Sequence, residues 1–331
     1  FLAHRAVDFF MSEEPELTKP VFAFELDKPE YLSDAALFVN LKVTTQDTAS
    51  MKYYALTILQ GLISFHLNDK DPEALVDVDL KRLNFVRAHL TLAGKDDLYY
   101  KALERLEQRV SNHEVAGVVV VEKARLWIER SMLYKPLTGD AHKWDVKTAY
   151  TLCEEIKMKF PESRGAILCE NLQEDITNKS LSATVEENNI PGQPFRALVQ
   201  YKNFTALHYR LIKVTREEVG AQRKKRDKDY GNDREQKFLE YFIGKTPANT
   251  GKYSLPDDGD FQQHSIEVKL DALPEGEYMV LFSNDGKFAT GKNVLAYAFT
   301  VVTNISYLHR GTKEGNTEVY TLNRDSGEPV A

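Results

Sequence analysis

The chain has 331 residues, 42% of them apolar and 11% aromatic, which is long enough for two or three domains and ordinary for a globular protein. A net charge of −7 argues against a broad nucleic-acid-binding surface, which needs a clustered basic face. Apolar runs such as Val118–Val121 are far shorter than the roughly 20 residues that cross a bilayer. Two cysteines, Cys153 and Cys169, are too few for a disulfide scaffold and lack the spacing of a metal site.

Residues 1–177 follow the three- and four-residue spacing of amphipathic helices, most clearly in the segment 144–176. We expect Asp145 to cap the first helix of this segment, Pro161 to end it, and Glu162-Ser163 to begin the second. The apolar stripes of the two helices contain Val146, Ala149, Tyr150, Cys153, Ile156 and Phe160, and then Leu168, Cys169, Leu172 and Ile176. The segment is therefore predicted to be a helical hairpin.

Similar hairpins precede this one along the chain. Helices are predicted at 51–66, 72–92, 96–110 and 115–134, with an earlier pair at 1–12 and 31–39. Successive hairpins of about 40 residues are typical of helical repeats. They predict a TPR-like, superhelical stack for residues 1–177 rather than a closed bundle.

From residue 178 the apolar spacing changes to the period of two that is typical of strands. In the segment 180–214, Pro191-Gly192 predicts a turn between two strands. Further strands are predicted in TALHYRLIKVT, HSIEVKL, GEYMVLFSN, VLAYAFTVV and TEVYTLN. Short strands with Gly, Pro, Asn and Asp turns between them indicate an antiparallel β-sandwich, which we place at 178–302. The whole chain is thus expected to be a multidomain α + β protein.

A charged segment, 216–242, interrupts the strand pattern. It contains eight Lys/Arg and seven Asp/Glu, and opposite charges recur four residues apart, as in Arg223 and Asp227. We predict a solvated insertion that is part helix and part loop. A binding role for its basic cluster, Arg223–Arg226, is the less favoured interpretation, because the neighbouring acids cancel most of the field.

Three segments resemble parts of known catalytic or ligand-binding motifs. The segment 286–293 nearly fits a phosphate-binding loop, but Asn293 replaces the required hydroxyl and the segment lies between two predicted strands. The segment 113–117 begins like a zinc-protease helix, but Gly117 stands where the second His must be. The acidic segment 257–260 lacks the ligand spacing of an EF-hand and is predicted to be a turn.

No catalytic, cofactor-binding or metal-ligating residue is assigned from the sequence. Cys153 and Cys169 lie on apolar helix stripes, whereas a reactive thiol needs exposure and a positive environment. The G-x-S-x-G motif of serine hydrolases does not occur. We therefore predict that the chain is not an enzyme and needs no cofactor.

Three short stretches carry a family resemblance: Gly276-Glu277-Tyr278, Thr303–Leu308 and Ser326–Ala331. They are similar to the "pGxYxv" strand near the end of one macroglobulin-type sandwich and to the "vTNlsyl" and "GePvaGA" segments that open the next one. The chain resembles the bacterial α2-macroglobulin family in these residues. The segment 180–214 is similar to the opening of the preceding domain of that family, and 1–177 to the N-terminal extension of some large members.

The resemblance implies a very large exported protein, periplasmic or at the cell surface, made of a string of sandwich domains. In this family, proteinases cut a bait segment and a thioester, written C-x-E-Q, traps them. The segments CEEI at 153–156 and CENL at 169–172 lack that motif. We therefore expect a non-catalytic part of a longer polypeptide with a role in proteinase inhibition or envelope defence, and we expect 303–331 to be the start of a further sandwich.

The alternative is an interaction scaffold of the cell envelope. In that case the helical stack offers a concave face, the sandwich is a rigid spacer, and the protein binds a protein or a glycan without inhibiting anything. The expected partners of the full-length molecule are proteinases or other proteins, and not nucleic acids.

Overall fold

The computed structural model describes residues 2–12, 20–291 and 293–330. Within these ranges the chain is a mixed α and β protein with ten α-helices and three sheets. It divides into two compact units, one ending at Ile176 and the other beginning at Thr177. None of the helices in the described ranges is both long and apolar enough to cross a bilayer.

The first unit contains the helices that the periodicity predicts. They are α1 (Leu2–Phe10), α2 (Ala35–Val39), α3 (Met51–His66), α4 (Glu73–His89), α5 (Lys95–Arg109), α6 (Ala116–Ser131), α7 (Asp145–Lys159) and α8 (Arg164–Thr177). A 3₁₀ turn, Pro29–Leu32, precedes α2. Both α1 and α2 pack against α3. Phe1, at the edge of the predicted helix 1–12, lies outside the described residues.

The loop between α7 and α8 ends one helix and caps the next. The last residue of α7 is Lys159, and Pro161 follows the C-cap Phe160. The Ser163 hydroxyl accepts a hydrogen bond from the Ala166 amide at 3.1 Å, as an N-cap does. Asp145, in contrast, is not the N-cap of α7, so that prediction was wrong. It is the first helical residue, and its carboxylate accepts a hydrogen bond from the His142 ring at 2.8 Å. Acidic residues are favoured both at the cap and in the first turn, which makes the two positions hard to distinguish by sequence.

The second unit is built mainly from strands. They are β1 (Ser180–Val185), β2 (Asn188–Asn189), β3 (Phe195–Lys202), β4 (Ala206–Val214), β5 (Asn249–Ser254), β6 (His264–Leu270), β7 (Gly276–Ser283), β8 (Leu295–Val302), β9 (Ile305–Gly311) and β10 (Thr317–Asn323). The strand orders are β1-β3-β6, β2-β8-β7-β4-β5 and β10-β9. Neighbours are antiparallel except for the two-residue pairing of β2 with β8.

The three-stranded and five-stranded sheets share one hydrophobic core. Along β3, buried and exposed residues alternate, and its buried Ala197 and Val199 belong to the same cluster as Leu211 of β4 and Val280 of β7. The period of two predicted for these strands is therefore the pattern of a sheet with one face on a core.

Two helices, α9 (Arg216–Lys228) and α10 (Arg234–Ile243), connect β4 to β5. Thr215 begins α9 with a reciprocal capping box to Glu218. Phe238 and Phe242 of α10 are buried in a second core with Met279, on the other face of the five-stranded sheet. The prediction of an insertion at 216–242 that is part helix and part loop is confirmed. The insertion is not solvated throughout, because α10 covers a sheet face that would otherwise expose apolar side chains.

Strands β9 and β10 form a two-stranded hairpin. In its register Leu308 lies opposite Tyr320, and both side chains are exposed, as are Tyr307 and Val319. Beyond β10 the chain turns back, and the Val330 amide donates a hydrogen bond to the Thr321 carbonyl at 2.9 Å. Ala331 lies outside the described residues.

Candidate functional site

The segment 286–293 is the connection between the antiparallel strands β7 and β8. Phe288 of this segment is buried and has a positive φ of 57°. The centre of its ring lies 4.3 Å from Cζ of the Arg210 guanidinium. The Thr290 hydroxyl donates to Glu240 of α10 at 2.6 Å. The described residues of this loop are therefore occupied in joining the sheet to the helical insertion; Lys292 lies outside them.

The acidic segment 257–260 is a turn built on its own carboxylates. Asp257 accepts a hydrogen bond from the Gly259 amide at 2.9 Å. Asp260 is only 1% exposed, and its Oδ1 lies 3.0 Å from His264 Nε2 and accepts from the Gln262 amide. Among the described residues, no three His, Cys, Asp or Glu side chains converge in a way that could hold a metal ion.

The basic cluster of α9 is partly occupied in packing. The Arg223 guanidinium lies 4.9 Å from the Phe299 ring, and that of Arg226 lies 5.1 Å from the Phe238 ring. Cation–π contacts of this kind stabilise a helix on an aromatic surface. Two of the four basic residues are therefore in contact with the aromatic side chains under the insertion.

Gly117, which occupies the second His position of a zinc-protease motif, is a packing residue. A Cβ built on it would lie 2.9 Å from Ile156 Cγ2 and 3.0 Å from the Gly165 Cα. His113 of the same segment is bonded locally and accepts from the Val115 amide at 3.2 Å. The segment 113–117 thus allows α6 to pack closely against α7 and α8.

A cleft with an exposed aromatic side chain lies along α7, and the sequence did not identify it as a candidate site. We define the Trp144 surface by the residues that line this cleft of about 550 Å³: Trp144, Lys147, Thr148, Thr151, Leu152 and Glu155. The indole is 43% exposed, and the ammonium groups of Lys143 and Lys147 each lie 5.2 Å from its ring centre.

The connection between α6 and α7 adds apolar side chains before this surface. Met132, Leu133 and Leu137 are all exposed. Tryptophan side chains that combine an apolar body with a polar edge are enriched at protein interfaces. The signal in the sequence was an apolar Met-Leu pair at the end of one predicted helix and a Trp between two lysines at the start of the next. Chemically, the surface offers stacking area, the Lys147 ammonium and the Glu155 carboxylate, with Lys143 on the Trp144 ring beside it, which suits binding.

The comparisons with known proteins find only distant fold similarity. No protein-family model matches the chain, and no curated protein sequence matches it. The crystal structure of native α2-macroglobulin from Escherichia coli, spanning domains MG0-NIE-MG1, is 13% identical with a TM-score of 0.30. That match covers 46% of this chain, which spans 47% of the length of the E. coli structure.

A second solved structure is the CARDB domain of a Pyrococcus furiosus protein, in complex with di-metal ions. It is 10% identical, with a TM-score of 0.21, and the match covers 38% of this chain and 92% of that domain.

Proposed function

We propose that this chain is a non-catalytic part of a large exported protein of the α2-macroglobulin type, with a role in proteinase inhibition or envelope defence. In this proposal the first unit is a TPR-like N-terminal extension, residues 178–302 are a macroglobulin-type sandwich, and 303–331 open the next one. Its location is periplasmic or at the cell surface, and its partners are proteinases or other proteins.

The observation that carries the proposal is the environment of the Gly276-Glu277-Tyr278 stretch. Gly276 has a φ of 153°, in the region that favours glycine, and begins the central strand β7. Tyr278 is buried in the shared core, and its hydroxyl donates to the Pro274 carbonyl at 3.0 Å. The glycine and the tyrosine of the "pGxYxv" pattern are thus each used by the strand entry, which favours the family over a chance match.

The second support is the hairpin of β9 and β10. The stretches Thr303–Leu308 and Ser326–Ala331, which resemble the opening of a further domain, fall at its start and just after its end. A two-stranded hairpin is marginally stable alone, and its exposed Tyr307 and Tyr320 offer apolar area to further strands.

Proteinase inhibition is tested on the full-length natural protein that contains this chain. After incubation with a serine proteinase such as trypsin, we expect a complex of increased size on gel filtration. The bound proteinase should still cleave a small peptide substrate but lose activity on a large protein substrate, because trapping excludes large molecules. If the protein is cleaved and the proteinase stays fully active on large substrates, the inhibitory role is wrong.

The interaction scaffold is the second candidate, and the Trp144 surface favours it. If this surface binds extended or unfolded protein, Trp144→Ala is expected to weaken binding of reduced, carboxymethylated casein by at least about tenfold, since buried Trp anchors dominate such interfaces. Fluorescence anisotropy of labelled casein measures this. A soluble muropeptide as a second probe distinguishes a glycan ligand.

Met158→Ala is the matched control for this variant, because Met158 is also exposed on α7 but does not line the cleft. We expect Met158→Ala to bind like the wild type. Equal affinities of the two variants, or no binding of either probe to the wild type, would contradict a role for this surface.

A further inference from the structure

The two cysteines of the chain face each other across a helical hairpin. Cys153 lies on α7 and Cys169 on α8, and both side chains are completely buried. Gln173 fixes the register of the two helices, because its amide nitrogen donates to the Tyr150 carbonyl at 3.0 Å and to the Glu154 carboxylate at 2.6 Å.

Within this register the two thiols are hydrogen-bonded to each other. The Cys153 thiol donates to the Cys169 sulfur, and this bond lowers the pKa of Cys169, assisted by the nearby Lys157, while it raises the pKa of Cys153. The register supports this contact, because Gln173, one turn after Cys169, bonds to Tyr150 and Glu154 on either side of Cys153. Opposed, buried thiols of this kind need only side-chain rotation to form a disulfide. The fold of the hairpin therefore already places Cys153 next to Cys169, and the two helices need not move for the bond to form.

We propose that Cys153 and Cys169 form an intramolecular disulfide that joins α7 to α8 when the chain folds in an oxidising compartment. The bond closes a short loop, residues 154–168, and holds the helix that carries the Trp144 surface. The inference goes beyond the proposed function, since it depends on the geometry of the first unit alone. Export determines only whether the protein meets the oxidant in the cell.

The oxidant is a disulfide, such as oxidised glutathione or the active-site disulfide of a thiol oxidoreductase. The thiolate of Cys169 attacks one sulfur of that disulfide and releases one thiol, which leaves a mixed disulfide. The thiolate of Cys153 then attacks the Cys169 sulfur and displaces the second thiol. The two cysteines lose two protons and two electrons in total, and the oxidant takes both as its disulfide becomes two thiols.

The test is refolding of the full chain in glutathione redox buffers, because the buried thiols are accessible to the oxidant only before folding is complete. After an acid quench and alkylation in denaturant, mass spectrometry counts the free thiols. We expect the refolded wild type to carry no alkyl group and to yield a peptide pair joined through Cys153 and Cys169. The oxidised protein should melt about 5 °C or more above the reduced one, as a loop of this length predicts.

The double variant Cys153→Ala/Cys169→Ala is the control, and its melting temperature should not depend on the redox buffer. Two alkylated cysteines, or two glutathione adducts without a bridge, in refolded wild type at every buffer ratio would overturn the inference. Cell fractionation tests export separately, so a cytosolic protein that still forms the bridge in the refolding experiment would contradict the proposed localisation and not the disulfide.

Discussion

Replacement of Arg82 by methionine is expected to lower the free energy of unfolding by about 3–5 kcal/mol, the usual effect of removing one partner of a buried ion pair. Arg82 is 1% exposed, and its guanidinium lies 2.7 Å from Asp79 Oδ1 and donates to the Tyr31 carbonyl at 2.9 Å. It also lies 4.5 Å from the centre of the Phe38 ring. The variant leaves the Asp79 carboxylate buried without its partner, and urea denaturation measures the loss.

Two controls separate burial from charge in this prediction. The double variant Asp79→Leu/Arg82→Met removes both charges and should recover most of the loss, except for about 1–3 kcal/mol from the Tyr31 carbonyl left without its donor. Arg125→Met removes an exposed pair, in which Arg125 lies 2.6 Å from Glu122, and should cost less than about 1 kcal/mol. If Arg82→Met costs no more than Arg125→Met, the buried pair does not hold this part of the unit together.

The same pair explains why the packing of the N-terminal segment on α4 was difficult to predict from sequence, although its helices were predicted. Arg82 is on α4, and through the Tyr31 carbonyl and the Phe38 ring it contacts the segment that includes the 3₁₀ turn and α2. A charged residue on a helix is normally predicted to lie on the solvated side. Its burial depends on an acceptor 51 residues earlier in the chain, which no local pattern reveals.

The long helices could be predicted because each has a strong periodic stripe and clear stop signals. Pro161, for example, predicts the end of α7, which the structure places two residues earlier, at Lys159. The edge strands β2 and β5 were missed because β2 has only two residues and β5, NTGKYS, is mostly polar. Gly251 of β5 is explained by the register, since it lies opposite Tyr209 and a Cβ there would approach the Tyr209 ring to 2.3 Å.

The sequence did not predict that the insertion at 216–242 buries one of its helix faces. Its high charge density indicated a solvated segment, and most of its charged residues are indeed exposed. The missed signal was in the strand β7, whose residues from Tyr278 to Phe282 are continuously apolar instead of alternating. Such a strand is buried on both faces, so the sequence already required a cover for the second face. Phe238, Leu239 and Phe242 of α10 provide it.

Among the candidate sites, too, the sequence decided those that depend on residue spacing but not those that depend on tertiary packing. The rejected motifs could be judged by spacing, because each motif demands fixed residue types at fixed positions. The Trp144 surface and the contact of the two thiols depend on which helix faces are opposed, and this is a tertiary property. For Cys153 and Cys169 the sequence predicted burial correctly but not that the two sulfurs meet.

A close approach of two helices in the first unit leads to the second large prediction. Gly165 on α8 lies against Gly117 on α6, and a Cβ built on Gly165 would lie 2.5 Å from the Gly117 Cα and 2.6 Å from its carbonyl carbon. Because backbone atoms cannot rotate away, Gly165→Ala must separate the two helices. We expect a loss of about 3 kcal/mol, at the upper end of the overpacking range, measured by urea denaturation of the full chain.

Gly61→Ala is the matched control, because Gly61 is also inside a helix of this unit, α3, but no atom lies within 4 Å of the added Cβ. Alanine is the better helix former, so this variant should gain about 0.5–1 kcal/mol. The two identical substitutions are thus predicted to act in opposite directions, because helix propensity favours both and the Gly117 backbone opposes only one. A stabilised Gly165→Ala variant would mean that α6 and α8 do not approach each other this closely, and that the helix packing of the first unit is looser than the contact between the glycines requires.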